Sequence, residues 1–160
     1  MLFACENIDR LQCMELQGRA LPRGLKAALY ELARAVHDEQ LVLAAARLLN
    51  EGPRHIGIVT GAAVPGHMPV GENDGPLGAV VLTNALVRLG HWVSIYTDNM
   101  AAAPLKALIE RLGLDVPVID LQLNGTEQQD AIADDIDVAV AISTAEAATR
   151  LATPYMLAKR

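Results

Sequence analysis

The chain has 160 residues, of which 52% are hydrophobic and 20% charged, so it is long enough for a folded domain with a real core and is not an intrinsically disordered protein. Its formal net charge of −6 disfavours nucleic acid or an anionic membrane surface as the main partner. The sequence contains no apolar run near the roughly 20 residues that span a bilayer.

The first 53 residues are predicted to form a mainly helical lead-in. Residues 1–21 show weak periodicity, which predicts an irregular or partly extended segment with a short strand at Met14–Leu16 as an option. A helix is predicted after Pro22. Its apolar positions share one face: Leu25, Leu29, Leu32, Ala33 and Val36. A second helix is predicted from Asp38, as N-cap, to Asn50.

The two cysteines indicate the compartment. Cys5 and Cys13 are eight residues apart, which fits neither a CxxC pair nor the usual spacing of metal ligands. The N-terminus also lacks the basic start and long apolar stretch of a secretory signal. We therefore expect two reduced thiols in a cytoplasmic protein.

From Arg54 onwards the pattern alternates between strands and helices. Helices are predicted at Leu77–Leu89 and from Pro104, a weaker helix or loop over Asn124–Ala133, and a last helix opened by the capping box Ser143-x-x-Glu146. Four apolar runs predict strands: Ile56–Val59, Trp92–Tyr96, Val116–Ile119 and Asp137–Ile142. Such alternation implies a parallel sheet. The predicted fold is a Rossmann-like three-layer α/β fold with a mostly parallel sheet of about four or five strands and an N-terminal helical segment, all in one domain, 1–160.

Hydroxyl or carboxylate side chains follow the predicted strands. They are Thr60, then Thr97-Asp98, then Asp120, then Ser143. Because the carboxyl ends of parallel strands share one edge, we expect these groups to converge on one crevice. The same residue types also cap helices and start turns, an explanation that suffices for Ser143 and is equally good for Asp120. Thr60 and Asp98 flank the longest loop and predict a ligand site.

The loop within Thr60–Ala79 is long for a strand-to-helix connection, which usually takes about 2–6 residues. Gly61 and Gly66 have the spacing of a phosphate-binding loop. That motif requires a lysine and a serine or threonine next, whereas the chain has His67 and Met68. A phosphate-binding loop is therefore excluded, and no GxGxxG dinucleotide fingerprint is present.

The acidic stretch Glu72-Asn73-Asp74-Gly75-Pro76 precedes a predicted helix, whose free N–H groups favour anions. In one interpretation, Glu72 and Asp74 hold an ammonium or metal ion and backbone N–H groups hold a carboxylate. In the other, Asp74 is only the N-cap and Glu72 is solvated. His67 is a candidate proton carrier or metal ligand, although a lone loop histidine is more often neither. No histidine and carboxylate set has convincing metal spacing.

The combined stretch IGIVTGAAVPGHMPVGENDGPLGAVVLTNALVRLGHWVSIYTDN resembles the D-glutamate cyclase family. In that family a strand ending in Thr-Gly leads through a Pro-containing loop to Glu-x-Asp-Gly-Pro-x-Gly-Ala, and the next strand ends in Thr-Asp. The resemblance covers Ile8–Ile142, with Asn73 and Leu77 standing where many members have Thr and Pro. It identifies the chain with the N-terminal half of the family's domain. The C-terminal half, with a second glycine-rich acidic motif, is expected to be missing, as in a short paralogue, a truncated product or half of a site completed by another chain.

The resemblance implies a lyase that converts D-glutamate to 5-oxo-D-proline and water. Under it, Glu72 or Asp74 holds or deprotonates the substrate ammonium group. Thr60 and the N–H groups of Gly61 and Gly75 cradle a substrate carboxylate. Asn73 and Asp98 complete the list of substrate-binding residues. Asp98 either closes the acidic wall or helps to hold a divalent metal ion; no cofactor is established, and a metal stays an open option.

Two other functions stay open. One is a non-catalytic α/β module that binds a small anion or amino acid in the same crevice. The other is a structural subunit that oligomerises through an uncovered sheet edge. The expected partners are thus a small molecule (D-glutamate or a related amino acid) and a second copy of the chain, with neither nucleic acid nor membrane.

Overall fold

The computed structural model describes residues 2–14, 25–36, 39–61, 63, 66–121, 131–132 and 134–144. The chain divides into two units, Met1–Glu51 and Gly52–Arg160. The division falls close to residue 53, where the helical lead-in was predicted to end. The single domain over 1–160 stays a prediction.

Three helices build the first unit: α1 (Leu2–Gln12), α2 (Leu25–Val36) and α3 (Leu41–Asn50). The predicted irregular lead-in is wrong over α1. Among the side chains described on this helix, Cys5 and Asp9, one helical turn apart, are the buried ones, so its packing face is too narrow to produce a strong periodic pattern. The suggested strand at Met14–Leu16 extends beyond the described residues. Pro22 and Asp38, the predicted starts of the first two helices, lie outside them.

A carboxylate from α1 caps the start of α3. Gln40 occupies the N-cap position but makes no side-chain capping bond. Instead the backbone N–H groups of Leu41 and Val42 donate to the two carboxylate oxygens of Asp9, at 2.8 and 3.0 Å, and the Tyr30 hydroxyl donates at 3.4 Å. Asp9 is only 2% exposed. A buried negative charge is thus neutralised by the helix N-terminus, where free N–H groups and the helix dipole favour anions.

Replacing Asp9 with Ala is expected to destabilise the first unit by about 2–3 kcal/mol, because two helix N–H groups lose a charged acceptor in a buried place. Urea unfolding followed by far-UV circular dichroism measures the loss. Glu6→Ala is the matched control, since Glu6 pairs only with the exposed Arg10 one turn away and is expected to change stability by less than about 1 kcal/mol. Equal losses in both variants would contradict the capping role.

The second unit contains a four-stranded, all-parallel sheet in the order β3-β2-β1-β4. Its strands are β1 (His55–Gly61), β2 (Trp92–Thr97), β3 (Val118–Asp120) and β4 (Val138–Thr144). Helix α4 (Asp74–Arg88) connects β1 to β2, and helix α5 (Asn99–Arg111) connects β2 to β3. The predicted Rossmann-like three-layer α/β fold is confirmed. In the described part of the chain, no helix has both the length and the apolar character needed to cross a membrane.

Different segments cover the two faces of the sheet. Ile142 of β4 pairs with Thr60 of β1, and a Cβ built on Gly78 of α4 would lie 3.5 Å from Ile142, so α4 packs on the face that carries Thr60. A Cβ on Gly57 would meet Ile136 at 2.8 Å on the opposite face. Helix α4, which follows β1, therefore lies on one face of the sheet, and Ile136, which precedes β4, lies on the other. In such sheets the crevice at the carboxyl ends of the two strands is the usual ligand site.

Apolar packing and a polar network occupy the Gly57 face. Val59, Tyr96, Leu121 and Ile136 form a buried cluster. Burial raises the pKa of the Tyr96 phenol above its ordinary value, and a hydrogen bond with Ser94 opposes that rise.

His55 joins three segments near the start of β1. Its Nδ1 lies 3.1 Å from the Asp135 carbonyl oxygen, and its Nε2 lies 2.9 Å from Ser94 Oγ. Because a carbonyl oxygen can only accept, Nδ1 donates to Asp135, and Nε2 lies within hydrogen-bonding distance of the serine hydroxyl. The backbone N–H of His55 also donates to Asp137 Oδ2 at 2.8 Å. These bonds connect β1, β2 and the entry to β4.

Two predicted helix starts are wrong. The helix expected to start at Pro104 begins at Asn99, because Asp98 caps it by accepting from the Ala101 N–H at 2.8 Å; Pro104 lies inside α5, where it removes one backbone hydrogen bond. Ser143 lies within β4, so its predicted position as a helix N-cap is wrong, and the helix predicted after it lies outside the described residues. Pairing of β4 with β1 extends to Thr144 and so overrides the local capping pattern.

Candidate functional site

Polar groups collect where β1, β2 and β3 end. The register of β1 and β2 pairs Val59 with Tyr96, so Thr60 and Thr97 are the next residues on adjacent parallel strands. Thr97 also pairs with Asp120 of β3, which is half-buried. The sheet therefore brings the ends of three strands to one edge, as their sequence pattern predicted.

Gly61 brings the end of β1 against the end of β2. A Cβ on Gly61 would lie 2.7 Å from Asp98 Oδ2 and 2.8 Å from Thr97 Oγ1, distances that no real side chain tolerates without displacing these atoms. The φ angle of Gly61 is 121°, a conformation that residues with a Cβ rarely adopt. Only glycine allows both the backbone turn and the close approach. We call Thr60, Gly61, Thr97 and Asp98 the strand-end cluster.

Two hydroxyl groups of the strand-end cluster are buried without a partner. Thr60 and Thr97 are both 0% exposed, and neither Oγ1 has a hydrogen-bond partner in the protein. A buried polar group without a partner costs about 1–3 kcal/mol, so such groups are rare in folded proteins. Thr83, on the buried face of α4, has the same property. At a strand edge, next to a carboxylate, two such hydroxyls are typical of a site that a ligand completes.

Asp98 has two separate tasks. Its Oδ1 accepts from the Ala101 N–H at 2.8 Å and so fixes the start of α5. Its Oδ2 faces Gly61 and is the oxygen that a Cβ there would strike first. One oxygen therefore holds the side chain in place while the other belongs to the strand-end cluster.

The acidic residues before α4 lie in a different local setting. Asn73, not Asp74, occupies the N-cap position and makes no side-chain capping bond; Asp74 is the first residue of the helix and its Oδ1 accepts from the Gly75 N–H at 3.0 Å. Asn73 and Asp74 are exposed, Glu72 is half-buried, and Gly75 is buried. The Gly75 N–H, which was expected to cradle a carboxylate, therefore already has an acceptor.

The charge at this edge is negative. The segment from the end of β1 into α4, residues 60–87, contains Glu72 and Asp74 but no lysine or arginine. The segment from the end of β2 into α5, residues 97–105, contains Asp98 and also no lysine or arginine. His67 is exposed in the first of these segments. An edge of this kind attracts cations, such as an ammonium group, more strongly than anions.

The described residues contain no group of three or more His, Cys, Asp and Glu side chains placed to hold a metal ion. Asp98 is the one carboxylate of the strand-end cluster. The oxygen donors of this cluster are thus two neutral hydroxyls and one carboxylate, a set that suits a singly charged cation.

Sequence reasoning named Thr60, Gly61 and Asp98 but missed Thr97 as a site residue. The available signal was its position. Thr97 directly follows the predicted strand Trp92–Tyr96 as Thr60 directly follows Ile56–Val59. What the sequence alone lacked was the side-chain contact with Gly61, which joins residues 36 positions apart and depends on the strand register.

Comparison with protein families gave one finding that bears on identity. The family model described as "D-glutamate cyclase-like, C-terminal" matches residues 24–153, most of the chain, including all four strands and the strand-end cluster. Searches of curated proteins and of solved structures gave no match. The prediction that the chain is the N-terminal half of the family's domain conflicts with this match and is wrong, because the model describes a C-terminal region. The chain belongs to the D-glutamate cyclase-like C-terminal family.

Proposed function

We propose that this protein cyclises D-glutamate to 5-oxo-D-proline and water. The observation that carries the proposal is the family match over the residues that build the polar strand edge. In the reaction the substrate nitrogen attacks its own side-chain carboxyl carbon. A C–N bond forms, a C–O bond breaks, and the departing oxygen takes protons to leave as water.

The reaction needs a proton acceptor and a proton donor. The substrate ammonium group must lose a proton before its nitrogen can attack, and the departing oxygen must gain protons. Glu72 and Asp74 are the proposed catalytic residues, because carboxylates can do both. Asp74, the first residue of α4, is exposed, and Glu72, two residues before it, is half-buried, so neither carboxylate is fully shielded from solvent.

Substrate carboxylates must be held without a basic side chain from the segments that leave β1 and β2. Thr60 and the Gly61 N–H are the proposed donors to a carboxylate, and Asn73 is a further proposed substrate-binding residue. Gly75 joins this set if its N–H leaves Asp74 Oδ1 when substrate binds. Hydrogen-bond donors of this kind also polarise the carboxyl group under attack.

The purified 160-residue chain is expected to form 5-oxoproline from D-glutamate, detected by mass spectrometry. Glu72→Gln and Asp74→Asn are each expected to lower kcat by about 100-fold or more, the usual effect of removing a general acid or base. The controls Glu110→Gln and Asp115→Asn make the same chemical changes at exposed positions away from the carboxyl edge and are expected to be fully active.

Either of two results would contradict the proposal. Absence of 5-oxoproline with the unmodified chain would refute the activity. Full activity of both the Glu72 and Asp74 variants would remove these residues from the mechanism while leaving the activity itself in place.

A second candidate function is binding without turnover. The partnerless hydroxyls of Thr60 and Thr97 favour a ligand whether or not chemistry follows. Under this alternative, D-glutamate raises the melting temperature of the protein but no 5-oxoproline accumulates.

The edge strand β4 favours self-association as a further role. In the described part of the chain β4 is the end strand of the sheet, and Val138–Thr144 carries no charged residue, although natural edge strands usually carry charges that prevent pairing. A native mass above that of one chain is the expected result for this role.

A further inference from the structure

We propose that the strand-end cluster binds the primary ammonium group of the substrate, with Thr60 Oγ1, Thr97 Oγ1 and Asp98 Oδ2 as its three acceptors. The inference rests on the proposed function in one respect: it takes the substrate to be an amino acid. It assigns a role to Thr97 and a specific chemical task to the cluster.

The number of hydrogen-bond acceptors in the strand-end cluster supports an ammonium group as its ligand. A protonated amine has three N–H donors and no acceptor. The cluster offers two hydroxyl oxygens that are buried and have no partner, and one carboxylate oxygen that is not used in capping α5. Binding an ammonium group would satisfy both hydroxyl oxygens at once and leave their protons free to donate to the substrate.

Charge supports the same ligand. Asp98 carries the negative charge of the cluster, and residues 60–87 and 97–105 bring no lysine or arginine to compensate it. A carboxylate placed against Asp98 Oδ2 would be repelled, whereas an ammonium group there would be attracted. Charge-assisted hydrogen bonds are also the stronger kind, which favours Asp98 as the main anchor.

A divalent metal ion fits this cluster less well. Calcium takes about 6–8 oxygen ligands and magnesium about six, and magnesium usually keeps several waters and binds one or two carboxylates. The cluster has a single carboxylate, and within the described ranges no set of three metal-binding side chains comes together. A singly charged ligand with three directed donors matches the available oxygens better.

The test compares D-glutamate with glutarate, which has the same two carboxylates but no amino group. Isothermal titration calorimetry is expected to show that the unmodified protein binds D-glutamate at least about 10-fold more tightly than glutarate. Thr97→Val is expected to weaken D-glutamate binding about 10-fold and to leave glutarate binding unchanged. Thr60→Val also removes a proposed carboxylate donor, so it is expected to weaken the binding of both compounds. Asp98→Asn is expected to weaken D-glutamate binding about 100-fold.

Folding controls accompany the binding data. Asn is also a good N-cap, so Asp98→Asn keeps the start of α5, and a thermal melt checks this. Thr97→Val removes a partnerless hydroxyl and is expected to raise the melting temperature of the ligand-free protein. Thr83→Val is the matched control: it removes another buried partnerless hydroxyl, outside the strand-end cluster, and is expected to leave both affinities unchanged.

The outcomes separate the two proposals. D-glutamate binding with the expected losses but without 5-oxoproline supports the ammonium site and refutes the cyclase activity. The opposite result is also possible to recognise. If 5-oxoproline forms but the Thr97 and Asp98 variants keep the unmodified protein's ratio of D-glutamate to glutarate affinity, the ammonium site is refuted and the cyclase activity stands. Failure of D-glutamate to bind, or binding of Mg²⁺ or Mn²⁺ that Asp98→Asn abolishes, also overturns the ammonium site.

Discussion

Gly61→Ala is expected to reduce 5-oxoproline formation by about 100-fold, the cost of displacing a binding group by about 1 Å. The added Cβ would lie 2.7 Å from Asp98 Oδ2 and 2.8 Å from Thr97 Oγ1, so both oxygens must move away from the end of β1. Steady-state kinetics with D-glutamate measures the loss, and calorimetry shows whether binding falls with it.

The chain supplies a close control for this substitution. Gly52 has a φ angle of 128°, near the 121° of Gly61, but a Cβ there would have no neighbour within 4 Å. Gly52→Ala therefore introduces the same backbone strain without touching the strand-end cluster, and it is expected to lower stability while activity per folded molecule stays normal. If both variants lose activity equally, the loss is caused by backbone strain and not by displacement of the Thr97 and Asp98 oxygens.

Gly57→Ala is expected to destabilise the second unit by about 2–3 kcal/mol, as overpacking of a filled core does. Its Cβ would lie 2.8 Å from Ile136 Cδ1 and 3.1 Å from Tyr96 Cε2, between two buried side chains. Urea unfolding monitored by fluorescence of Trp92 measures the change. Adding Ile136→Val removes the nearest methyl group, so the double variant should be more stable than the sum of the two single effects predicts.

Gly78→Ala is the comparison for the Gly57 substitution. Gly78 lies inside α4, and a Cβ there would meet Ile142 at an ordinary 3.5 Å. Since glycine inside a helix is less stable than alanine by roughly 0.5–1 kcal/mol, Gly78→Ala is expected to stabilise the protein. A stabilising effect at Gly57 as well would show that the core at Ile136 yields easily and that its packing is looser than these distances indicate.

The sequence predicted the second unit well because its signals are local. Four short apolar runs separated by helical patterns lead to a parallel sheet, and the observed strand bounds differ from the predicted ones by two residues or fewer. The polar ends of β1 and β2 were also visible, since Thr60 and Asp98 directly follow the apolar runs.

The errors came from interactions between distant residues. Helix α1 was missed because its buried face consists of little more than Cys5 and Asp9. The N-terminus of α3 depends on Asp9, 32 residues earlier in the chain, and its N-cap is Gln40 and not the predicted Asp38. Ser143 has a local capping pattern, but pairing with β1 places it in a strand.

The candidate site was predictable only in part for the same reason. The glycine at position 61 looked like one more loop glycine until the register of β1 and β2 placed it against Thr97 and Asp98. Assignment to the N-terminal half of the family failed for a different reason. The matching motifs are short and local, and they contain no information about their place in a longer domain.

The double use of Asp98 links site occupancy to the dynamics of α5. Oδ1 restrains the first turn of the helix and Oδ2 faces the strand-end cluster, so the two functions share one rigid carboxylate. Any ligand that fixes Oδ2 also reduces fraying of the helix at Ala101, and by thermodynamic reciprocity any change that loosens this turn weakens the ligand. Residues on α5 that never touch the substrate therefore influence affinity through the order of a single helical turn.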